Sequence, residues 1–99
     1  MEKEALSDTQ IEAALAGLNG WSVADGKLTK EYKFESFASA LGWMVAVGTE
    51  ANKLDHHPEW SNVYNRVTVN LVTHDLGNQI STLDVALAKA MDKLAKEIS

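Results

Sequence analysis

The segment from residue 37 to residue 54 places the strongest constraint on how this 99-residue chain can fold. Ser36 stands at a favourable helix N-cap position, and apolar residues follow it at helical spacing. One side of the helix would carry Phe37, Leu41, Met44, Val45 and Gly48, and the other Ala40, Trp43, Ala46 and Val47. A helix that is apolar nearly all round needs cover on both sides. We therefore expect it to pack on its own domain and on a second copy of the chain; complete burial in its own core is the alternative.

A helix and a β-hairpin are predicted on the N-terminal side of this segment. Ser7 and Gln10 have the spacing of a capping box, and apolar residues follow at helical intervals. Residues 21–24 and 28–34 have strand character. They flank Asp25-Gly26, which is a strong signal for a two-residue hairpin turn.

A second hairpin and a last helix are predicted on the C-terminal side. Residues 60–64 and 66–73 have the composition of strands, with the turn between them somewhere in 62–66. Ser81 and Asp84 resemble another capping box. The helix after them would present one apolar face, formed by Leu83, Leu87, Ala90, Met91, Leu94 and Ile98.

The predicted order of elements is αββαββα, and no internal repeat is visible in the sequence. Two hairpins combined with packed helices are typical of the α+β class. A chain of this length suits one domain. We therefore expect a single domain over residues 1–99, in which a four-stranded antiparallel sheet carries the three helices on one face.

Charge and composition narrow the functional classes. The formal net charge is −5 and the nine lysine and arginine residues are scattered, so neither nucleic acid nor a membrane surface is expected as a direct partner. The absence of cysteine excludes disulfide and thiolate chemistry. The charged N-terminus lacks the apolar segment of a signal peptide, and the longest apolar run, 41–48, is too short to cross a bilayer. These features favour a cytoplasmic protein.

The histidines of the chain, His56, His57 and His74, fall within nineteen positions. Histidine titrates near neutral pH, so it can donate or accept a proton under physiological conditions. Two would lie in a loop after the long helix and the third at the end of a strand, where a rigid sheet could hold them together. Asp55 could orient an imidazole ring, and Trp60 could offer a flat face to a planar ligand.

Each of these residues taken singly also has an ordinary structural role. A lone histidine is usually a surface or capping group, and an aromatic residue such as Trp60 usually belongs to a core. Asp55 could close the C-terminal end of the long helix, and Asp84 suits the first turn of the last one. It is their combination that favours a functional site.

A metal centre is the alternative enzyme class for the same residues. The three histidines and a carboxylate would supply enough ligands. Adjacent histidines such as His56 and His57, however, seldom point at one metal ion, and ligand pairs on a helix are usually three to five residues apart. We therefore expect no metal site.

The spacing of these residues resembles the signature of the pterin-4a-carbinolamine dehydratase family. That pattern has an acidic or polar residue, three positions, His-His-Pro, five or six positions, an aromatic residue, nine positions, His and a later Asp. This sequence supplies His56-His57-Pro58, Tyr64, His74 and Asp84 at such distances. The chain length and the predicted order of elements also match, so the resemblance covers nearly the whole chain. Asn52 is a departure, because many members have an acidic residue there.

The resemblance implies a 4a-hydroxytetrahydrobiopterin dehydratase. Such an enzyme removes water from pterin-4a-carbinolamine to give quinonoid dihydropterin during tetrahydrobiopterin recycling, without a metal or bound cofactor. The resemblance also implies histidine acid/base catalysis, in which His56 and His74 exchange protons and His57 mainly holds the pterin. The substrate-binding residues that it implies are Asp55, His56, His57, Pro58, Trp60, Thr73, His74 and Asp75.

The expected partners are the pterin substrate and further copies of the chain. Self-association into a homodimer or a homotetramer would use part of the apolar helix at residues 36–54. Some members of the family that this sequence resembles also act as dimerisation cofactors of a transcription factor. A non-catalytic pterin-binding or coactivator module is therefore the alternative function.

Overall fold

The structure is a computed structural model, and it describes residues 2–98. Its three helices are α1 (Asp8–Leu15), α2 (Phe37–Leu54) and α3 (Thr82–Ile98), and a short 3₁₀ helix spans His74–Leu76. Its four strands are β1 (Ser22–Ala24), β2 (Lys27–Lys33), β3 (Glu59–Val63) and β4 (Arg66–Leu71). The strands form one antiparallel sheet in the order β1-β2-β4-β3. The predicted αββαββα order and α+β class are confirmed; the predicted domain of residues 1–99 also includes Met1 and Ser99, which lie outside the described range.

Local capping signals determine where the first two long helices begin. The Ser7 hydroxyl accepts a hydrogen bond from the Gln10 backbone N–H, and the Gln10 side chain accepts one from the Ser7 N–H, which completes a capping box. Ser36 caps α2 by accepting a hydrogen bond from the Ser39 N–H at 3.0 Å. These contacts satisfy N–H groups that have no partner inside the helix.

Residues with positive φ make the two hairpin turns. Asp25 and Gly26 have φ values of 53° and 74°, as a two-residue turn of the mirror-image type requires. The second turn lies at Tyr64 and Asn65, and Tyr64 has φ 54°. The strand after it ends at Leu71, earlier than the predicted residue 73, because the chain leaves the sheet to form the 3₁₀ helix.

The core lies between one face of the sheet and the helices. Side chains alternate along β4, so that Val67, Val69 and Leu71 are buried while the residues between them are not. Trp43 of α2 is fully buried, and its indole N–H donates to the Met91 carbonyl of α3 at 3.0 Å. The remaining buried apolar residues of this core include Leu18, Trp21, Leu28, Tyr32, Phe34, Val47, Ala51, Ile80, Leu87 and Ala88.

The two sides of α2 have different surroundings. Ala40, Trp43, Val47 and Ala51 are buried against the core. The opposite side is a stripe of apolar residues that are 46–66% exposed, which we call the outer stripe: Phe37, Leu41 and Val45. Complete burial of α2 within its own chain is therefore wrong for this stripe.

None of the helices within residues 2–98 combines the length and the hydrophobicity that a membrane span requires.

Candidate active site

The chain brings its three histidines to one cavity of about 270 Å³. The loop after α2 approaches the end of β4 and the start of α3, so residues far apart in the sequence meet there. The lining residues are Lys3, Asp55, His56, His57, Val72, Thr73, His74, Asp75 and Leu83. Six of the eight substrate-binding residues implied by the resemblance thus lie at the cavity.

A buried carboxylate holds His56. The Nε2 atom of His56 lies 2.5 Å from Asp84 Oδ1, and Asp84 is fully buried. The other carboxylate oxygen, Oδ2, accepts hydrogen bonds from the Thr73 hydroxyl at 2.8 Å and from the Ser81 N–H at 2.9 Å. A buried carboxylate needs such compensation because it has lost its hydration. Asp84 therefore joins the cap of α3 to the ring of His56.

Thr73 lines the cavity, but its polar groups bond within the chain. Its hydroxyl contacts Ser81 Oγ at 2.6 Å as well as Asp84. Its backbone N–H donates to the Gln79 carbonyl at 2.9 Å, and its own carbonyl accepts from the N–H groups of Leu76 and Gln79. Thr73 therefore shapes the wall, and its neighbours present the polar groups that face the cavity.

His74 lies between two acceptors at the mouth of the cavity. Its Nε2 atom is 3.0 Å from Glu59 Oε2, and its Nδ1 atom is 2.7 Å from Asn78 Oδ1. The side chain is 63% exposed. Gly77 and Asn78 both adopt positive φ, which turns the chain after the 3₁₀ helix and brings the Asn78 amide back to the ring. A ring with a proton on each nitrogen satisfies both acceptors.

His57 and Asp55 are exposed at the cavity edge. Asp55 adopts the left-handed conformation that ends α2, with φ 51°. We expected that Asp55 could orient an imidazole ring. The carboxylate that contacts the His56 ring is instead that of Asp84. Asp55 thus fills the structural role of closing the helix, while its side chain remains at the edge of the cavity.

Two predicted residues do not line the cavity. Trp60 packs against Trp43 with ring centroids 6.0 Å apart, because strand alternation directs it to the core face. Pro58 is half-buried in the loop before β3. Tyr64, which the family pattern includes, lies in the turn at the other end of β3, about 17 Å along the strand from Glu59.

Two ion pairs, one at the cavity and one beside it, each act on a carboxylate. Lys27 Nζ lies 2.6 Å from Glu59 Oε1, and its hydrogen bond is the main reason why the pKa of Glu59 is lowered; the charges of Lys27 and His74 act in the same direction against partial desolvation. Lys3 Nζ lies 2.6 Å from Asp75 Oδ2 and likewise lowers the pKa of Asp75. Both carboxylates are therefore ionised near neutral pH.

Sequence reasoning did not assign functional roles to Glu59, Asn78 and Asp84. Glu59 follows His-His-Pro directly, and the alternation of β3 could have indicated that it faces away from the core while Trp60 faces inward. The contact between His56 and Asp84 spans 28 positions and had no local signal.

Within residues 2–98, no group of three or more histidine, aspartate or glutamate side chains is arranged to hold a metal ion.

The fold and the site define a small α+β domain with a histidine and carboxylate site beyond one end of its sheet. The sequence model of the Pterin 4 alpha carbinolamine dehydratase family matches residues 4–94. The chain therefore belongs to the pterin-4-alpha-carbinolamine dehydratase family.

Individual relatives agree with this assignment over almost their full lengths. A Rhizobium etli protein is 48% identical over 97 residues, which cover 96% of this chain and 95% of the relative. A Solibacter usitatus protein is 47% identical over 90 residues, which cover 91% and 94% of the two chains. Both carry the name pterin-4-alpha-carbinolamine dehydratase in provisional form.

A solved structure shows the same fold. It is a Brucella melitensis protein described as a transcriptional coactivator/pterin dehydratase. The TM-score is 0.88 at 41% sequence identity, and the match covers 93% of this chain and 99% of that one.

Proposed function

We propose that this protein removes water from 4a-hydroxytetrahydropterin to give quinonoid dihydropterin, as a hydro-lyase in the recycling of tetrahydrobiopterin. The observation that carries the proposal is the cavity at which His56, His57 and His74 meet. Two of these rings contact carboxylates from other elements of the chain. Membership of the family supports the same reaction.

The reaction needs one acid and one base on a positioned ring. The bond between carbon 4a and the hydroxyl oxygen breaks, and the oxygen leaves as water after it receives a proton. The electron pair of the adjacent ring nitrogen forms the new carbon–nitrogen double bond, and that nitrogen loses its proton to the base. No electrons are gained or lost overall. Each proton transfer by a positioned side chain contributes about 10²- to 10⁴-fold.

His74 is the proposed acid. Its two ring nitrogens face the acceptors Glu59 and Asn78, an arrangement that suits the doubly protonated ring. The departing oxygen accepts one of these protons. His56 is the proposed base, because Asp84 takes its Nε2 and thereby directs proton acceptance to Nδ1. His57, exposed at the cavity edge, holds the pterin ring.

The dehydration assay tests this proposal directly. Generated 4a-hydroxytetrahydropterin is followed by ultraviolet absorbance with the parent protein and with His74→Ala. We expect turnover well above the spontaneous rate, and its loss in the variant. Full turnover in all three single histidine-to-alanine variants would contradict the assigned site, and no acceleration by folded parent protein would contradict the activity.

A non-catalytic role is the second candidate function, because the Brucella melitensis structure is described as a coactivator as well as a dehydratase. Under this alternative the cavity binds a pterin without dehydrating it, and the outer stripe of α2 contacts another protein. Calorimetric binding of a tetrahydropterin without turnover would favour it over the enzyme.

We also propose that the protein is a cytoplasmic homodimer or homotetramer. The outer stripe exposes large apolar side chains that a single chain leaves in contact with water, namely Phe37, Leu41 and Val45. Contiguous exposed apolar patches on a small domain commonly mark protein–protein contacts. A second copy of α2 would cover the stripe by helix packing.

A further inference from the structure

An ion pair on the outer face of the sheet reaches into the candidate active site. Lys27 is the first residue of β2, Glu59 is the first residue of β3, and His74 opens the 3₁₀ helix. Lys27 Nζ lies 2.6 Å from Glu59 Oε1, and His74 Nε2 lies 3.0 Å from Glu59 Oε2. One carboxylate therefore bridges a strand on the far side of β4 and a proposed catalytic ring.

The sheet order makes this bridge a tertiary contact. Since β4 lies between β2 and β3, the Lys27 and Glu59 side chains together span two strand spacings, roughly 10 Å, to meet. Leu28 and Trp60 pack toward the core, so alternation directs Lys27 and Glu59 to the opposite face.

Both oxygens of the Glu59 carboxylate are used, each by a different partner. With Oε1 held by Lys27, rotation of the carboxylate is restricted and Oε2 stays directed at the His74 ring. On its other side the ring contacts Asn78. His74 itself is 63% exposed, so packing alone does not fix its orientation.

We propose that Glu59 is a positioning residue for His74 and that Lys27 secures Glu59 in that role. This inference builds on the proposed dehydratase function, because it explains how an exposed imidazole is held ready to protonate the leaving hydroxyl. Glu59 accepts the Nε2–H of the ring and sets its direction. Lys27 keeps the acceptor ionised and correctly placed. A misplacement of about 1 Å at such a group can lower turnover on the order of 10²-fold.

Substitutions at the two residues separate orientation from charge. Glu59→Ala removes the acceptor, and we expect kcat to fall on the order of 10- to 100-fold with little change in KM. Glu59→Gln keeps an oxygen acceptor without the charge and restores part of the loss. Lys27→Met lowers kcat less, and Lys27→Arg restores it. Lys33→Met removes a lysine from the same strand and face, and it leaves kcat unchanged.

The pH profile gives a readout that a merely structural role would not move. The charged groups that act on Glu59 are Lys27 and His74. Removing Lys27 removes the main cause that lowers the pKa of Glu59, so the carboxylate is protonated at higher pH. We therefore expect the acidic limb of the kcat profile to move to higher pH in Lys27→Met and to stay in place in Lys33→Met.

Nitrogen-edited NMR of the His74 ring provides a readout that does not depend on turnover. In the parent, the Nε2 signal should show a hydrogen-bonded N–H, and in Glu59→Ala this signature should be lost. An unchanged His74 spectrum, or equal kcat and pH profile in parent and Glu59→Ala, would overturn the positioning role. A parent protein that shows the Glu59-dependent signature but no turnover would overturn the proposed function and leave the contact established.

Discussion

His56 Nε2 lies 2.5 Å from Asp84 Oδ1, and the two residues come from the loop after α2 and from the first turn of α3. Oδ2 of the same buried carboxylate already accepts hydrogen bonds from Thr73 and Ser81. Oδ1 is therefore the atom that accepts the Nε2–H of His56, and this contact places the proton on Nε2. The tautomer of the proposed base is thus set by a residue in another element.

Asp84→Asn should lower kcat on the order of 10²-fold or more while the protein remains folded. The two donors Thr73 and Ser81 select the amide oxygen, so the amide N–H₂ turns toward His56. Two donors cannot face each other, and the ring must move its proton to Nδ1. Initial-rate kinetics with 4a-hydroxytetrahydropterin measure the effect.

Asp92→Asn is the matched control for this substitution. Asp92 also lies on α3, and its carboxylate accepts hydrogen bonds from Trp21 and Lys30 at 3.0 and 2.8 Å. It is absent from the lining of the histidine cavity. We expect Asp92→Asn to lower the melting temperature without lowering kcat. Equal kcat in the parent and Asp84→Asn would disprove the tautomer argument.

His57→Ala should act mainly on substrate binding. His57 is exposed at the cavity edge and holds no buried carboxylate. Loss of one hydrogen bond to the pterin, worth about 1 to 1.5 kcal/mol, corresponds to a KM about tenfold higher. Steady-state kinetics over a range of substrate concentrations check this. A kcat loss as large as that of His74→Ala, with KM unchanged, would instead place His57 in the chemical step.

Much of the fold could be predicted because its signals are local. Ser7 and Ser36 cap helices through residues three positions away, and Asp25-Gly26 makes its turn within two residues. The strand ending at Leu71 was predicted too long, because its end depends on the pairing of Thr73 with Gln79.

The candidate site could be predicted only in part. The histidine spacing identified His56, His57 and His74, all of which line the cavity. Asp84 was recognised only as part of the family pattern and Glu59 was not singled out, because both reach their histidines through tertiary contacts. Spacing in the sequence does not state which residues of distant elements will touch.

Tyr32→Phe should change how stability depends on alkaline pH. Burial, followed by the hydrogen bond to the Asp92 carboxylate and its charge, raises the pKa of Tyr32 well above its ordinary value. Above about pH 10 the unfolded chain loses this proton while the folded chain retains it. The unfolded state then binds fewer protons, so the free energy of unfolding falls as pH rises.

The destabilisation caused by removal of the hydroxyl should therefore depend on pH. Near pH 7, Tyr32→Phe should destabilise the protein by about 1.5 to 3 kcal/mol, because a hydrogen bond to a charged group is lost. Above about pH 10, the difference in the free energy of unfolding between the variant and the parent should become smaller. Urea unfolding at a series of pH values measures the free energy of unfolding of the parent and the variant. A difference that stays constant to alkaline pH would contradict the raised pKa of Tyr32.

Val45→Glu should convert the proposed oligomer into smaller species. Val45 is 66% exposed at the C-terminal end of the outer stripe, and a charge there would have to be desolvated when a second α2 packs on it. Val63→Glu is the control, since Val63 is even more exposed, at 75%, and lies outside α2. Light scattering coupled to gel filtration gives the mass of each species. We expect a multimeric parent, a multimeric Val63→Glu variant and a smaller Val45→Glu variant; a parent with the mass of one chain would remove self-association from the proposal.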